Sequence, residues 1–255
     1  MKLKIAAAQV FVTPDIDRNF RKIAGYIKKA ALKKVDLVVF PECALSGYGP
    51  LHYDSPDDLD YLLLYRRLND LRKVIAQHRI AAVVGTAFVS KGKVYNSALL
   101  FKRPGKVQGR YDKLHLFPGD KVYYQAGKSL PFFTFKRYRI GLQICFDLRF
   151  PGSWHYLANK GVRLVVHISN GCGKDTWKIP VWEGHLRSRA AENGIFVVSV
   201  NAAGPKQMGI SQIVDPDGLE MAKAKRDKEG LITAKMDLTR ATGQFLKQRR
   251  PDIYG

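Results

Sequence analysis

At 255 residues the chain is long enough to bury a substantial core, and its 46% hydrophobic and 11% aromatic content excludes a disordered or fibrous polymer. Lys and Arg number 43 against 22 Asp and Glu, a formal charge of +21 that favours anionic substrates, polyanions or acidic surfaces without choosing among them. The basic residues are spread along the whole length with no single block, as on a solvated lysine-rich surface, so a dedicated nucleic-acid role is disfavoured.

In chain order, residues 2–9 are predicted to form a strand. The apolar run stops at Gln9 and leads into Thr13-Pro14-Asp15, a helix start with no cleavage region, so the N-terminus reads as structure and not as a targeting peptide. Ile16, Phe20, Ile23, Ala24, Ile27 and Ala31 recur at helical spacing and predict a helix over 15–34. Residues 35–40 are a short apolar run, as in a buried strand. Leu59, Leu62, Leu63, Leu71, Val74 and Ile75 give a second helix over 57–78. Strands are predicted at 80–89 and 94–101 across a turn at 90–93, followed by an irregular stretch at 111–131.

The second half repeats this rhythm. Strands are expected at 139–144, 163–168, 195–200, 208–214 and 231–237, and helices at 152–160 and 179–193, with Asp215-Pro216-Asp217-Gly218 as a tight turn. The chain shows no linker, repeat or low-complexity segment, so one α/β domain over 1–255 is the economical expectation. Apolar runs fall short of the ~20 residues a membrane span needs, so no membrane partner is expected. Cys43, Cys145 and Cys172 cannot all pair within the chain, which points to free thiols in a reducing, cytoplasmic setting.

Three segments place a reactive side chain just after a predicted buried strand, where α/β proteins tend to build sites. In Phe40-Pro41-Glu42-Cys43 a carboxylate follows an apolar strand and a proline, and burial there would raise its pKa toward that of a general base. In Tyr111-Asp112-Lys113-Leu114-His115 the lysine stands among many others, and His115 is more often structural than catalytic. In Gln143-Ile144-Cys145-Phe146-Asp147 a cysteine leaves a strand in a sharp turn, able to expose its sulfur and to aim nearby N–H groups at a reacting oxygen. Alone, each segment is equally at home as a surface glutamate, a surface lysine or a buried inert cysteine.

Together, Glu42, Lys113 and Cys145 resemble the nitrilase superfamily of carbon–nitrogen hydrolases, which carries a Glu–Lys–Cys triad in this chain order. Further motifs agree. Arg189-Ala190-Ala191-Glu192-Asn193 looks like the family's RA-x-EN helix, and Asn201 fits the asparagine closing the next strand. Gly209–Gly218 is similar to the G-x-S-x-I-x-D-P-x-G hairpin, and residues 249–254 resemble the usual C-terminal tail. The resemblance spans nearly the whole chain. It implies a four-layer αββα sandwich, no cofactor, and at least a homodimer.

It also implies a mechanism. Glu42 takes the proton of Cys145, whose thiolate attacks an amide carbon. Lys113 and the backbone N–H of Phe146 stabilise the oxyanion, and Glu42 then protonates the departing amine and activates water against the thioester. Many members place a second glutamate seven residues before a glycine. Counting back from Gly127 lands on Asp120, one carbon shorter, about 1.5 Å of reach. Either the loop moves inward to compensate or turnover is slow. Ser169 and Asn170 fall where the family lines its substrate pocket, although an ordinary polar turn fits them equally.

Gly171-Cys172-Gly173-Lys174 is not a phosphate loop, because Ile168 and Asp175 stand where that motif needs glycine and Ser or Thr. His52, Asp54, Asp57 and Asp58 lack zinc spacing, so no metal is expected. The expected function is hydrolysis of an amide bond in a small molecule, releasing ammonia or an amine. The basic surface is compatible with a carboxylate-bearing substrate, and the motif around Cys145 resembles ω-amidase-like and Nit-type enzymes. N-carbamoyl and nitrile hydrolysis are the rivals within the class. Outside it, a catalytically weakened homologue would serve as a binding module for an acidic partner.

Overall fold

The structure, a computed structural model, describes residues 2–173 and 175–254; Lys174 of the rejected phosphate-loop motif lies outside them. Strand β1 (Leu3–Gln9) leads into helix α1 (Ile16–Leu32), whose first turn is capped by the Asp15 carboxylate accepting from the Arg18 N–H. After β2 (Leu37–Val39) and the single turn α2 (Gly49–His52) comes α3 (Tyr61–His78). This helix begins later than its apolar spacing predicts. Pro56–Asp58 forms a separate 3₁₀ turn, and Asp60 is the residue that caps α3, through the Leu63 N–H.

β3 (Ala81–Ser90), β4 (Lys93–Lys102) and β5 (Lys106–Asp112) complete the first half. The second holds β6 (Phe132–Phe135), β7 (Tyr138–Ile144), α4 (Pro151–Asn159), β8 (Val162–Ser169), α5 (Ile179–Asn193) and β9 (Phe196–Asn201). β10 (Gln212–Val214), β11 (Glu220–Lys223), β12 (Gly230–Met236) and the turn α6 (Pro251–Tyr254) follow. β5, β6 and β11, all at sheet edges, escape sequence reading, and for β5 and β11 the reason is composition. Both are sheet edges of mixed polarity, KVQGRYD and EMAK, with no apolar alternation to reveal them.

Two six-stranded sheets form, in the orders β12-β1-β2-β3-β4-β5 and β11-β10-β9-β8-β7-β6. Each has a parallel centre, β1-β2-β3 in one and β7-β8-β9 in the other, flanked by antiparallel strands. Strand alternation then sorts the side chains into layers. Leu37 and Val39 point between the sheets against Ile140, Leu142, Leu164 and Val166, whereas Val38 and Phe40 point the other way, toward α1 and α3. Val165 and Val197 likewise face Trp154 and Leu157 of α4 and Leu186 of α5. Three apolar seams therefore separate four layers, the αββα sandwich that the resemblance implies. No helix among the described residues is long and apolar enough to cross a membrane.

Candidate active site

Glu42 and Cys145 follow the parallel strands β2 and β7, and Lys113 follows the edge strand β5, which two antiparallel pairings set in the same direction as β3. Glu42 is held first by its backbone. Phe40 N–H continues the ladder to the Val83 carbonyl at 2.9 Å, and Gly85 in β3 lets the chain pass close by. A Cβ at position 85 would stand 2.3 Å from the Pro41 oxygen and 2.7 Å from the Glu42 Cα. Gly85→Ala is therefore expected to displace Glu42, costing about 1–3 kcal/mol in urea unfolding together with most of the turnover. Unchanged stability and rate would show that the segment yields freely.

All of Glu42, Lys113 and Asp120 is excluded from solvent. Lys113 Nζ donates to Glu42 Oε1 at 2.8 Å and to Asp120 Oδ2 at 2.6 Å, so one ammonium lies between two carboxylates. Glu42 also accepts from Asn96 Nδ2 and from the Asn170 backbone N–H, both at 2.7 Å. Burial alone would push the Lys113 pKa down, but the charges of Glu42, Cys145 and Asp120 outweigh it and hold the ammonium well above its ordinary value. Asp120 reaches the lysine because the 3₁₀ turn Pro118–Val122 carries it inward. There it accepts from the Tyr48 hydroxyl at 2.6 Å and the Phe117 N–H at 3.0 Å. Asp120 thus touches Lys113 despite its shorter side chain.

Cys145 leaves β7 at φ +47°, a region costly for a side chain that carries a Cβ. Asp147 braces this turn. Its carboxylate accepts from Ile144 N–H at 2.9 Å and the Tyr111 hydroxyl at 2.7 Å, and from His115 N–H at 3.0 Å, with His115 Nδ1 at 2.7 Å. Tyr111 and His115 flank Lys113, so one carboxylate ties the lysine segment to the cysteine turn. Burial first, then the Glu42 charge, raise the Cys145 thiol well above its ordinary pKa, with Lys113 opposing them. This environment favours the protonated thiol. Cys43 is buried with its Sγ 3.6 Å from Asn96 Oδ1, and burial raises its pKa too.

Cys145 opens onto a pocket of about 310 Å³ walled by Phe117, Phe146, Trp182 and Met208, with Arg149 and Lys178 among its lining. Lys178 pairs with Asp175, whereas Arg149 meets only His185 Nε2, at 3.2 Å, and has no carboxylate partner among the described residues. Trp182 Nε1 is buried without a partner. A second hollow of about 410 Å³ shares Cys172 and Gly173 with this pocket but does not reach Cys145. Ser169 and Asn170 are tied into the scaffold, and Asn170 also lines this second hollow, with its Nδ2 buried without a partner. The Ser169 hydroxyl donates to Asn201 Oδ1 at 2.7 Å, and Asn170 Oδ1 accepts from Gln207 at 2.9 Å while its backbone holds Glu42. Sequence reading missed Asn96, Tyr48 and Asp147. Asn96 left a trace, a polar residue within the apolar run 94–101, but its target lies 54 residues away.

Fold and site together define a class. The sequence profile described as carbon-nitrogen hydrolase matches residues 4–244, and the chain belongs to that family. Among its relatives, an omega-amidase of Xenopus laevis is 29% identical over 99% of this chain and 97% of its own length. An (R)-stereoselective amidase of a Pseudomonas species is 31% identical over 86% of this chain and 81% of its own. The solved amidase of a Nesterenkonia species superposes with a TM-score of 0.84 at 24% identity, covering 99% of this chain and 95% of that one. Among the described residues no group of three or more His, Cys, Asp or Glu is placed to hold a metal ion.

Proposed function

We propose that this carbon–nitrogen hydrolase cleaves the amide bond of a small, carboxylate-bearing substrate through a thioester on Cys145, the whole chain acting as one domain. The observation that carries the proposal is the buried Lys113 ammonium, clamped at 2.8 and 2.6 Å by Glu42 and Asp120 next to a cysteine that faces a pocket. Glu42 removes the thiol proton as sulfur attacks the carbonyl carbon. Negative charge moves to the carbonyl oxygen, where Lys113 and the Phe146 N–H receive it. A donor of this kind is worth roughly 10²–10³ in rate. The C–N bond breaks as Glu42 returns the proton to nitrogen, and Glu42 then deprotonates water for attack on the thioester. Asp120 holds Lys113 in place, and dry surroundings strengthen every charge involved.

The amide preference is supported by relatives named omega-amidase and (R)-stereoselective amidase. Arg149, free of a carboxylate partner at the pocket, is the group we assign to a substrate carboxylate, with the Trp182 indole N–H available to a neighbouring oxygen. Three free cysteines agree with a reducing, cytoplasmic setting, and we expect at least a homodimer, which light scattering would read. The test of function is ammonia release from small ω-amides of dicarboxylic acids, in competition with N-carbamoyl compounds and nitriles. Turnover of the ω-amides is expected to lead. Uniform failure on them, with turnover of another group, would move the chain within the class. No turnover at all, with salt-sensitive retention on a polyanion resin, would favour a binding module.

A further inference from the structure

His167 lies in β8 beside the nucleophile turn, fully buried, and takes no direct part in the chemistry just described. Its Nε2 is 3.1 Å from the Cys145 carbonyl oxygen and its Nδ1 is 3.0 Å from the Ser199 hydroxyl in β9. A carbonyl only accepts, so Nε2 carries the proton. Nδ1 is then the acceptor, and the Ser199 O–H donates to it. Burial pushes the imidazole down to about 4, which keeps this neutral tautomer in place at neutral pH. The rings of Trp154 and Trp182 flank it at 6.1 and 5.6 Å. The imidazole is thus fixed in position, orientation and protonation.

The peptide unit between Cys145 and Phe146 is planar and trans, so its C=O and N–H point in opposite directions. Fixing the oxygen fixes the direction of the N–H. That N–H finds no acceptor among the described residues, as required of a donor reserved for a reacting group. We propose that His167 is a positioning residue which, through the Cys145 carbonyl, aims the Phe146 N–H at the developing oxyanion, with Ser199 setting the imidazole. The inference rests on the reading of that N–H as an oxyanion donor. A histidine that merely fills the core would affect stability and leave the ratio of oxyanion binding to thiol reactivity alone.

The experiment compares wild type with His167→Phe, which has no donor, His167→Gln, which keeps one, and Ser199→Ala, which leaves the imidazole unset. Two properties of Cys145 are read by mass spectrometry. The first is its rate of methylthiolation by methyl methanethiosulfonate, in which the Cys145 sulfur takes the methylthio group, the S–S bond of the reagent breaks and methanesulfinate leaves, so no tetrahedral oxyanion forms at carbon. The second is protection against that reagent by butyraldehyde. Here the thiol proton passes to Glu42, the sulfur adds to the aldehyde carbon, and the C=O π pair moves to oxygen, which then accepts from the Phe146 N–H. In His167→Phe the aldehyde is expected to protect about 10–100-fold more weakly, and amide kcat to fall comparably with KM held, while the methylthiolation rate stays within about threefold. His167→Gln should recover much of the loss. Should His167→Phe fail to fold, Ser199→Ala must still weaken protection several-fold. Unchanged protection, or an equal fall in methylthiolation, would overturn the assignment. If wild type hydrolyses no amide, the functional reading fails by itself, and the aldehyde comparison still decides the role of His167.

Discussion

Glu42→Gln is expected to lower amide turnover by about 10²–10⁴-fold while making Cys145 easier to alkylate at neutral pH. The two effects have opposite sign because Glu42 does two things. It is the base that the proposed reaction needs, and it is also an anion that raises the thiol pKa, second only to burial. Glutamine removes the base and the negative charge together. Lys113 then faces the sulfur with only Asp120 to neutralise it, so the thiolate becomes more accessible. Alkylation by iodoacetamide needs a thiolate but no proton return to a leaving amine. Its pH profile, with the modified residue located by mass spectrometry, should shift to lower pH in the variant, with Cys145 labelled ahead of Cys43. A shift to higher pH would mean that Glu42 assists the thiolate in the resting enzyme. No difference would mean that the two side chains are uncoupled.

Lys113→Met should be the most damaging single change in stability. It removes the cation between two carboxylates that have no contact with solvent, and breaking such a buried pair costs about 3–5 kcal/mol. Turnover should fall at least about 10²-fold with the oxyanion donor lost. The pH dependence carries the sign of the mechanism. In wild type the Lys113 pKa is raised in the fold, so its contribution is complete below the ordinary value near 10.5 and is lost only as pH rises through the folded value. In the variant, Glu42 and Asp120 share a buried site without a cation, and taking up a proton relieves the repulsion between them. That variant should be most stable in acid and should weaken as pH rises from about 5 to about 8, whereas wild type does not weaken there from this cause. Urea unfolding at the two pH values makes the comparison. A stability deficit independent of pH would show that the carboxylates separate and hydrate.

Much of this fold is legible in the sequence, and the reason is local. The parallel central strands are buried on both faces and so read as apolar runs, and α1 announces itself through an apolar stripe and an aspartate cap. Glu42 and Cys145 were visible because each follows such a run directly. Asp120 was visible only by counting from Gly127, and its reach could not be judged, because reach depends on the 3₁₀ turn that carries it.

The sequence by itself determined the order of the helices and inner strands, the alternation that splits each sheet's side chains between two seams, and the segments that carry Glu42, Lys113 and Cys145. Those properties depend on neighbours a few residues apart. Only the tertiary structure decided what surrounds the groups. It sets Lys113 between acids 71 residues before it and 7 after it, gives Glu42 a backbone donor 128 residues away, and places Asp147 as the brace between the lysine and cysteine segments. It also gave Ser169 and Asn170 scaffold partners, with Asn170 lining the hollow beside the Cys145 pocket. The physical reason is that hydrogen-bond geometry and desolvation are set by what packing brings within about 3 Å, and spacing along the chain does not encode that distance.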